Sequence, residues 1–322
     1  DLGLVLLLVV QQGLRDDLKL LIMSASLDNP RLSSLLPCAP AIVSAGRSFP
    51  VDRRYQPLSS HERLEDGVAS RVKRLLNEQS GSLLLFLPGV GEIHRVMERL
   101  HGEVASDTDL CPLYGALPLS EQQKAIQPAL AGRRKVVLAT NIAETSLTIE
   151  GIRLVVDSGL ERVACFDVKN GLTRLVTQRI SQASMIQRAG RAGRLEPGIC
   201  WHLFAKEQAE RAAQYSEPEI LNSDLCSLWL ELLNWGCQDA AQLSWLDQPP
   251  QAALTVARDL LMRLGAIDTH GHLSATGRTM ASLGCEPRLA AMLCFAAGQS
   301  PDALATAALL AAILEEPPRS GQ

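Results

Sequence analysis

The sequence predicts an α/β fold in which a doubly wound parallel sheet is followed by a small helical and winged domain. Three observations predict it. Over residues 62–177, short apolar runs that stop at Gly, Pro or small polar residues alternate with amphipathic stretches of helical period, as strands and helices do when helices cover both faces of a sheet. After Phe204 the strand signal ends and helical periodicity takes over. Finally, 322 residues with 47% hydrophobic and 20% charged content can build about two cored domains, which excludes disordered, collagen-like and coiled-coil chains.

Taken in order, residues 2–14 read as a helix with Gly13 near its end, and 19–25, Lys-Leu-Leu-Ile-Met-Ser-Ala, as a buried parallel strand. The Gly, Ser, Pro and Arg content of 44–57 marks a connection between domains, with Arg47, Arg53 and Arg54 read as a solvated linker. A helix over 62–78 leads to a strand over 82–87, stopped by Pro88-Gly89. Helices over 90–100 and 120–126 then alternate with strands over 110–114, 135–139 and 153–157. Residues 162–166 and 172–177 pair across the turn Lys169-Asn170-Gly171. Helices follow over 206–213, 223–235 and 251–264, then a two-strand wing over 265–274 around His270-Gly271, then Ala-rich helices.

Composition narrows the function classes. No run approaches the roughly 18 apolar residues of a bilayer span, so no membrane role is expected. The apolar start 2–10 lacks a basic leader and a cleavage site, and the chain opens on Asp1, so an upstream portion is expected. A net charge of −4 argues against a generally basic nucleic-acid coat, although a local patch can still hold phosphates. The eight cysteines include no C-x-x-C pair, which fits reduced thiols in a cytoplasmic protein. The six histidines form no H-E-x-x-H, no Ser lies in a G-x-S-x-G elbow, and the four tryptophans sit in apolar patterns that suit a core better than base stacking.

Three segments carry chemistry. In Gln187-Arg188-Ala189-Gly190-Arg191-Ala192-Gly193-Arg194 the three arginines recur at intervals of three, so a helix or tight turn projects them near one another. Guanidiniums so crowded repel unless an anion sits among them, and their planar forks suit phosphate oxygens. The bland alternative is a solvated basic face. Ala139-Thr140-Asn141-Ile142-Ala143-Glu144-Thr145-Ser146-Leu147-Thr148-Ile149 begins where a buried strand ends, the place at which open α/β sheets bind ligands, although Thr140 or Asn141 could equally cap a helix. Met23-Ser24-Ala25-Ser26-Leu27-Asp28 is a second hydroxyl-bearing strand end that a plain turn would also explain.

In this order, together with Asp157-Ser158-Gly159, these segments resemble the later motifs of superfamily 2 helicases, specifically the DEAH-box ATP-dependent RNA helicases. The wording of residues 16–23 and 315–321 resembles the bacterial HrpB type, and the resemblance covers essentially the whole chain. It implies the end of a first RecA-like domain over 1–45, a second RecA-like helicase domain over 46–204, a winged-helix domain over 205–275 and the start of a helical ratchet domain over 276–322. It further implies ATP and Mg²⁺ as cofactors, and single-stranded RNA and the upstream RecA-like domain of the same protein as partners.

Residue by residue, the resemblance implies that Arg191 and Arg194 are arginine fingers, that Gln187 orients the attacking water and that Arg188 supports the motif. Ser146 would sense the γ-phosphate, Glu150 would meet the ribose and Ile126 would take the place of an adenine-stacking Phe, which implies weaker purine stacking. Thr140, Asn141 and Gly89 would grip the RNA backbone, Ser24 and Ser26 would couple hydrolysis to domain movement, and the hairpin over 162–177 would guide or separate strands. Ser26 stands where the family usually has Thr. The chain contains no G-x-x-x-x-G-K-[ST] and no Asp-Glu-x-His, both of which the family carries upstream, so by itself it is expected to hold half of the site and to be inactive. A non-catalytic RNA-binding or assembly module with the same fold is the alternative.

Overall fold

The computed structural model describes residues 2–23, 30–37, 39–43, 49–145 and 148–315. The chain divides into two compact units, one of Ser44–Val163 with Leu175–Ser216, the other of Asp1–Val43, Ala164–Arg174 and Glu217–Gln322. The strands are β1 (Val51–Tyr55), β2 (Ser82–Phe86), β3 (Thr108–Leu113), β4 (Arg134–Ala139), β5 (Ile152–Asp157), β6 (Leu160–Asp167), β7 (Leu172–Arg179) and β8 (Gly198–His202). The helices are α1 (Leu2–Gly13), α2 (Pro30–Leu35), α3 (Leu64–Glu78), α4 (Val90–Leu100), α5 (Leu119–Ile126), α6 (Ile142–Thr145), α7 (Gln182–Gly190), α8 (Lys206–Arg211), α9 (Cys226–Trp235), α10 (Gln251–Arg263), α11 (Ala275–Leu283), α12 (Pro287–Ala297) and α13 (Pro301–Glu315).

Six strands form one sheet in the order β1-β8-β5-β2-β4-β3, and every pairing in it is parallel. Successive side chains of a strand face opposite ways, so each central strand feeds two cores. Leu83 and Leu85 of β2 join Val136 and Val156 against Val72 of α3 and Ile93 of α4. Leu84 and Phe86 turn the other way, with Val137 and Val155, against Ala143 of α6 and Ala189 of α7. Burial on both faces is why these strands read as unbroken apolar runs rather than alternating ones. β6 and β7 pair separately as a hairpin whose turn is closed by the Asn170 and Gly171 N–H groups on the Asp167 carbonyl, with Gly171 at φ +63°.

Two strands depart from expectation. The connection at 44–57 contains β1, which pairs with β8 from Val51↔Gly198 to Tyr55↔His202. Its Asp52, Arg53 and Arg54 disguised it, yet charge is what an edge strand carries to discourage further pairing. Residues 19–23, by contrast, form no strand, and Leu21 and Met23 are exposed. A strand needs a neighbour for its N–H and C=O groups, and the six-stranded sheet draws all its strands from Val51 onward. Ser24 and Ala25 lie outside the described residues.

The second unit is helical. Val5 of α1, Trp229 and Leu233 of α9, Leu261 of α10, Met280 of α11 and Ala290 of α12 share one core. Its helices end as their sequences dictate: the Ser274 side chain accepts from Gly277 N–H, Glu286 caps α12 ahead of Pro287, and Gly236 and Gly284 close α9 and α11 with positive φ. The expected two-strand wing contracts to a single antiparallel bridge, Ile267↔Leu273. There the Asp268 carboxylate, rather than a strand ladder, takes the His270 and His272 N–H groups. Trp201, Trp229 and Trp245 are buried, while Trp235 is exposed. Among the described residues no cluster could hold a metal ion, and no helix is long and apolar enough to cross a membrane.

The two glycines between the arginines differ in what surrounds them. A Cβ on Gly193 would lie 2.5 Å from the Phe49 carbonyl oxygen and 2.7 Å from Val51 Cγ2, whereas one on Gly190 would meet nothing within 4 Å. Gly193→Ala is therefore expected to destabilise by about 1–3 kcal/mol through overpacking. Gly190→Ala, at a helical position, is expected to stabilise by up to about 1 kcal/mol. Urea unfolding of both variants checks this, and equal midpoints would contradict the packing.

Candidate active site

The carboxyl ends of the parallel strands open into the segments that the sequence singled out. β2 runs into Pro88-Gly89 and the start of α4, β4 into Thr140-Asn141, and β5 into Ser158-Gly159. Thr140 N–H donates to the Leu113 carbonyl at 3.2 Å, and the Ala143 and Glu144 N–H groups donate to the Thr140 and Asn141 carbonyls, so the chain turns at once into the single turn of α6. Facing it, α7 starts from Ser181, whose hydroxyl accepts from Ser184 N–H at 3.2 Å. Past Gly190 it tightens into a 3₁₀ turn, Arg191–Gly193.

The three arginines have different fates. Arg188 is 1% exposed, and its guanidinium donates to Glu144 Oε2 at 3.0 Å, Asp157 Oδ1 at 3.0 Å and the Leu160 carbonyl at 3.2 Å while lying 4.9 Å from the centre of the Phe86 ring. Asp157, with no exposed surface, also accepts from Gly159 N–H at 2.9 Å and from His202 Nδ1 at 3.1 Å. Nε2 of His202 accepts from Arg53 Nε at 3.0 Å, which places the ring proton on Nδ1. Arg53, although exposed, thus belongs to a strand rather than to a linker. Its place on the edge strand lets it reach the buried imidazole, and Tyr55 stacks on that ring at 5.2 Å.

Arg191 is 8% exposed, and its Nη2 donates to the Glu144 carbonyl. Burial first, then the like charge of Arg194, lower its pKa to about 10 against the opposing pull of Glu144. Arg194 is exposed and donates from Nη1 to Thr148 Oγ1 at 2.7 Å. Two cations are therefore held close enough to disfavour each other, one of them desolvated, on a turn whose Gly193 packs against the Phe49 backbone. An anion placed between them would relieve that repulsion.

Residues 67–196 match the family described as helicase conserved C-terminal domain. An Escherichia coli (strain K12) protein described as ATP-dependent RNA helicase HrpB is 67% identical over 321 residues, which span 100% of this chain and 39% of that protein. A Saccharomyces cerevisiae protein described as probable ATP-dependent RNA helicase DHR2 is 36% identical over 301 residues, 91% of this chain and 41% of its own length. The crystal structure of the Escherichia coli DEAH/RHA helicase HrpB matches with a TM-score of 0.95 at 67% identity, covering 100% of this chain and 41% of that one. The chain belongs to the HrpB-type DEAH/RHA helicases. It carries their conserved C-terminal domain and spans about two fifths of the length of the curated relatives it matches, at 39% and 41%.

Within this HrpB-type chain, Gln187, Arg188, Arg191 and Arg194 all lie along α7 and the turn after it, and the three arginines meet the stretch after β4 at Glu144 and Thr148. Ile126 and Glu150 are also brought together, since Glu150 N–H donates to the Ile126 carbonyl at 3.4 Å. Lys135, buried, fixes that corner by donating from Nζ to the Ala125 carbonyl at 2.5 Å and to that of Gln127, and burial pushes its pKa down. Gly89 caps α4 from an extended backbone, and a Cβ there would lie 2.5 Å from Arg162 Nη1 and 2.9 Å from Glu92 Oε2. A side chain at position 89 would therefore break into the Glu92–Arg162 pair. Ser24, Ser26, Ser146 and Arg47 lie outside the described residues.

Glu144, Asp157, His202, Arg53 and Ser184 received no role from the sequence. For the two acids a signal existed, because a carboxylate at the end of a buried strand or in an apolar turn requires a buried cation. For His202 and Arg53, which come from distant strands, none did.

The acid network makes stability depend on pH. Burial alone would raise the Asp157 pKa, but Arg188, His202 and the Gly159 N–H outweigh it and leave it below the ordinary value. A depressed folded-state pKa gives stabilisation that is complete above the unfolded aspartate value of about 3.9 and is lost as pH falls through and below it. Asp157→Asn is expected to cost about 3–5 kcal/mol at neutral pH and to flatten that acid limb, because it leaves a buried cation short of a partner. Urea denaturation from neutral pH down to about 3 measures both effects.

Proposed function

We propose that this chain is the carboxyl-terminal part of an ATP-dependent RNA helicase, coupling ATP hydrolysis to movement along or unwinding of RNA. Its domains would be the end of a first RecA-like domain (1–45), the second RecA-like domain (46–204), a winged-helix domain (205–275) and the start of a ratchet domain (276–322). The observation that carries this reading is the pair Arg191 and Arg194 on one tight turn, the first desolvated and its charge disfavoured by the second. Such a pair suits an anion arriving from outside the unit.

ATP would supply the γ-phosphoryl group, with Mg²⁺ held mainly by the upstream RecA-like domain. Arg191 and Arg194 would neutralise charge developing on that group, Gln187 would orient the attacking water, and Arg188 would hold the motif from below. Ser146 would register the γ-phosphate, while Glu150 and Ile126, already adjacent, would meet ribose and base. Thr140, Asn141 and Gly89 would grip sugar and phosphate without reading bases, and Ser24 and Ser26 would couple hydrolysis to domain movement. The setting would be cytoplasmic.

Phosphate release by the full-length gene product, with and without single-stranded RNA, tests the reading. Arg191→Ala is expected to lower RNA-stimulated hydrolysis by about 10³-fold or more while ATP binding persists, as loss of an arginine finger does in other NTPases. Wild-type turnover in that variant would sink the finger assignment. RNA binding without hydrolysis in the unaltered protein would leave the non-catalytic module.

A further inference from the structure

Glu144 has all four of its polar groups committed, and each goes to a different partner. Its N–H donates to the Asn141 carbonyl at 2.9 Å and its carbonyl accepts from Arg191 Nη2. Oε1 accepts from the Ser184 hydroxyl at 2.5 Å and Oε2 from Arg188 Nε at 3.0 Å. One residue thus joins the loop after β4 to the turn that carries Arg191. We propose that Glu144 is a positioning residue that relays occupancy of the Thr140–Asn141 loop to Arg191, and so links strand binding to the rate of phosphoryl transfer. This inference rests on the function proposed above.

The physical argument begins with the size of α6. Four residues make a single turn, too short to hold itself, so its position is set by what grips its ends and side chains. One grip is the Thr140–Asn141 loop, whose carbonyls accept from Ala143 and Glu144. The other is the Glu144 carboxylate, fastened to α7 through Ser184 and Arg188. Arg191 takes its acceptor from the same residue's backbone, so a displacement of the loop moves that acceptor relative to α7. Displacements of about 1 Å are enough to change a transfer rate by about 10²-fold. Without the carboxylate, α6 would still form its turn but would no longer be indexed to α7. Arg188 would retain Asp157, the Leu160 carbonyl and the Phe86 ring, so the unit has reason to remain folded.

The test uses the full-length gene product, assayed for ATP hydrolysis over a range of ATP at saturating single-stranded RNA, with RNA affinity and thermal unfolding measured alongside. Glu144→Gln is expected to lower kcat by about 10-fold or more while KM for ATP and Kd for RNA shift by no more than about 2-fold, the split that separates misplacement of a transition-state contact from loss of binding. Wild-type kcat would overturn the proposal, as would a loss of kcat, RNA affinity and melting temperature together, which marks a structural residue only. Arg191→Ala run in parallel separates the two readings. Unimpaired hydrolysis there removes the finger assignment itself, while a silent Arg191→Ala beside an unimpaired Glu144→Gln removes only the relay. If Glu144→Gln does not fold, Ser184→Ala takes its place. It deletes one anchor of the carboxylate without uncovering a charge, and the same kcat-selective loss, smaller in size, is expected, with unchanged kcat overturning the proposal.

Discussion

The first unit depends on one buried charge. Arg188 sits beneath the sheet's carboxyl ends with almost no exposed surface, and an ion in that position is tolerated only if its charge and its donors are met. Asp157 and Glu144 meet them from the ends of two neighbouring elements, and Asp157 is in turn held by His202 and the Gly159 backbone. The pair therefore ties β5, α6, α7 and, through His202 and Arg53, β8 and the edge strand β1 into one arrangement. Charged groups held in a low-dielectric interior gain little by wandering, which suits a place where other side chains must be aimed.

That burial explains why three arginines at equal spacing do three different things. The first is consumed by the fold. The second is partly desolvated yet fastened through a backbone carbonyl, and the third stands in solvent on a threonine hydroxyl. The glycines obey the same division, with Gly193 demanded by the Phe49 backbone while Gly190 opens on free space. A linear motif of repeated Arg and Gly thus encodes a gradient from structural to available, and the gradient follows depth beneath the sheet.

The sheet is the platform for all of this. Because its central strands are buried on both faces, their polar ends can appear only at the strand termini, and the parallel arrangement puts every carboxyl terminus on one side. Lys135 shows how the neighbouring corner is fixed: its amine, drawn inside, closes the carboxyl end of α5 and so sets Ile126 beside Glu150.

The sequence alone determined the elements whose period is local. β2, β4 and β5, and helices α3 and α4, fall where apolar runs and helical spacing place them, because burial on both faces or on one stripe writes itself directly into residue order. It also determined the family, through motifs whose wording is specific. What it could not determine was anything decided by a distant partner. β1 is a strand because β8 lies beside it, residues 19–23 are not because no strand among the described residues pairs with them, and the wing shrinks to a bridge where Asp268 takes its backbone donors. The roles of Arg188, Glu144 and His202 belong to the same class. Charge within a motif names the chemistry, but only tertiary packing fixes the depth at which each charge sits, and depth decides whether it is spent on the fold or left for a ligand.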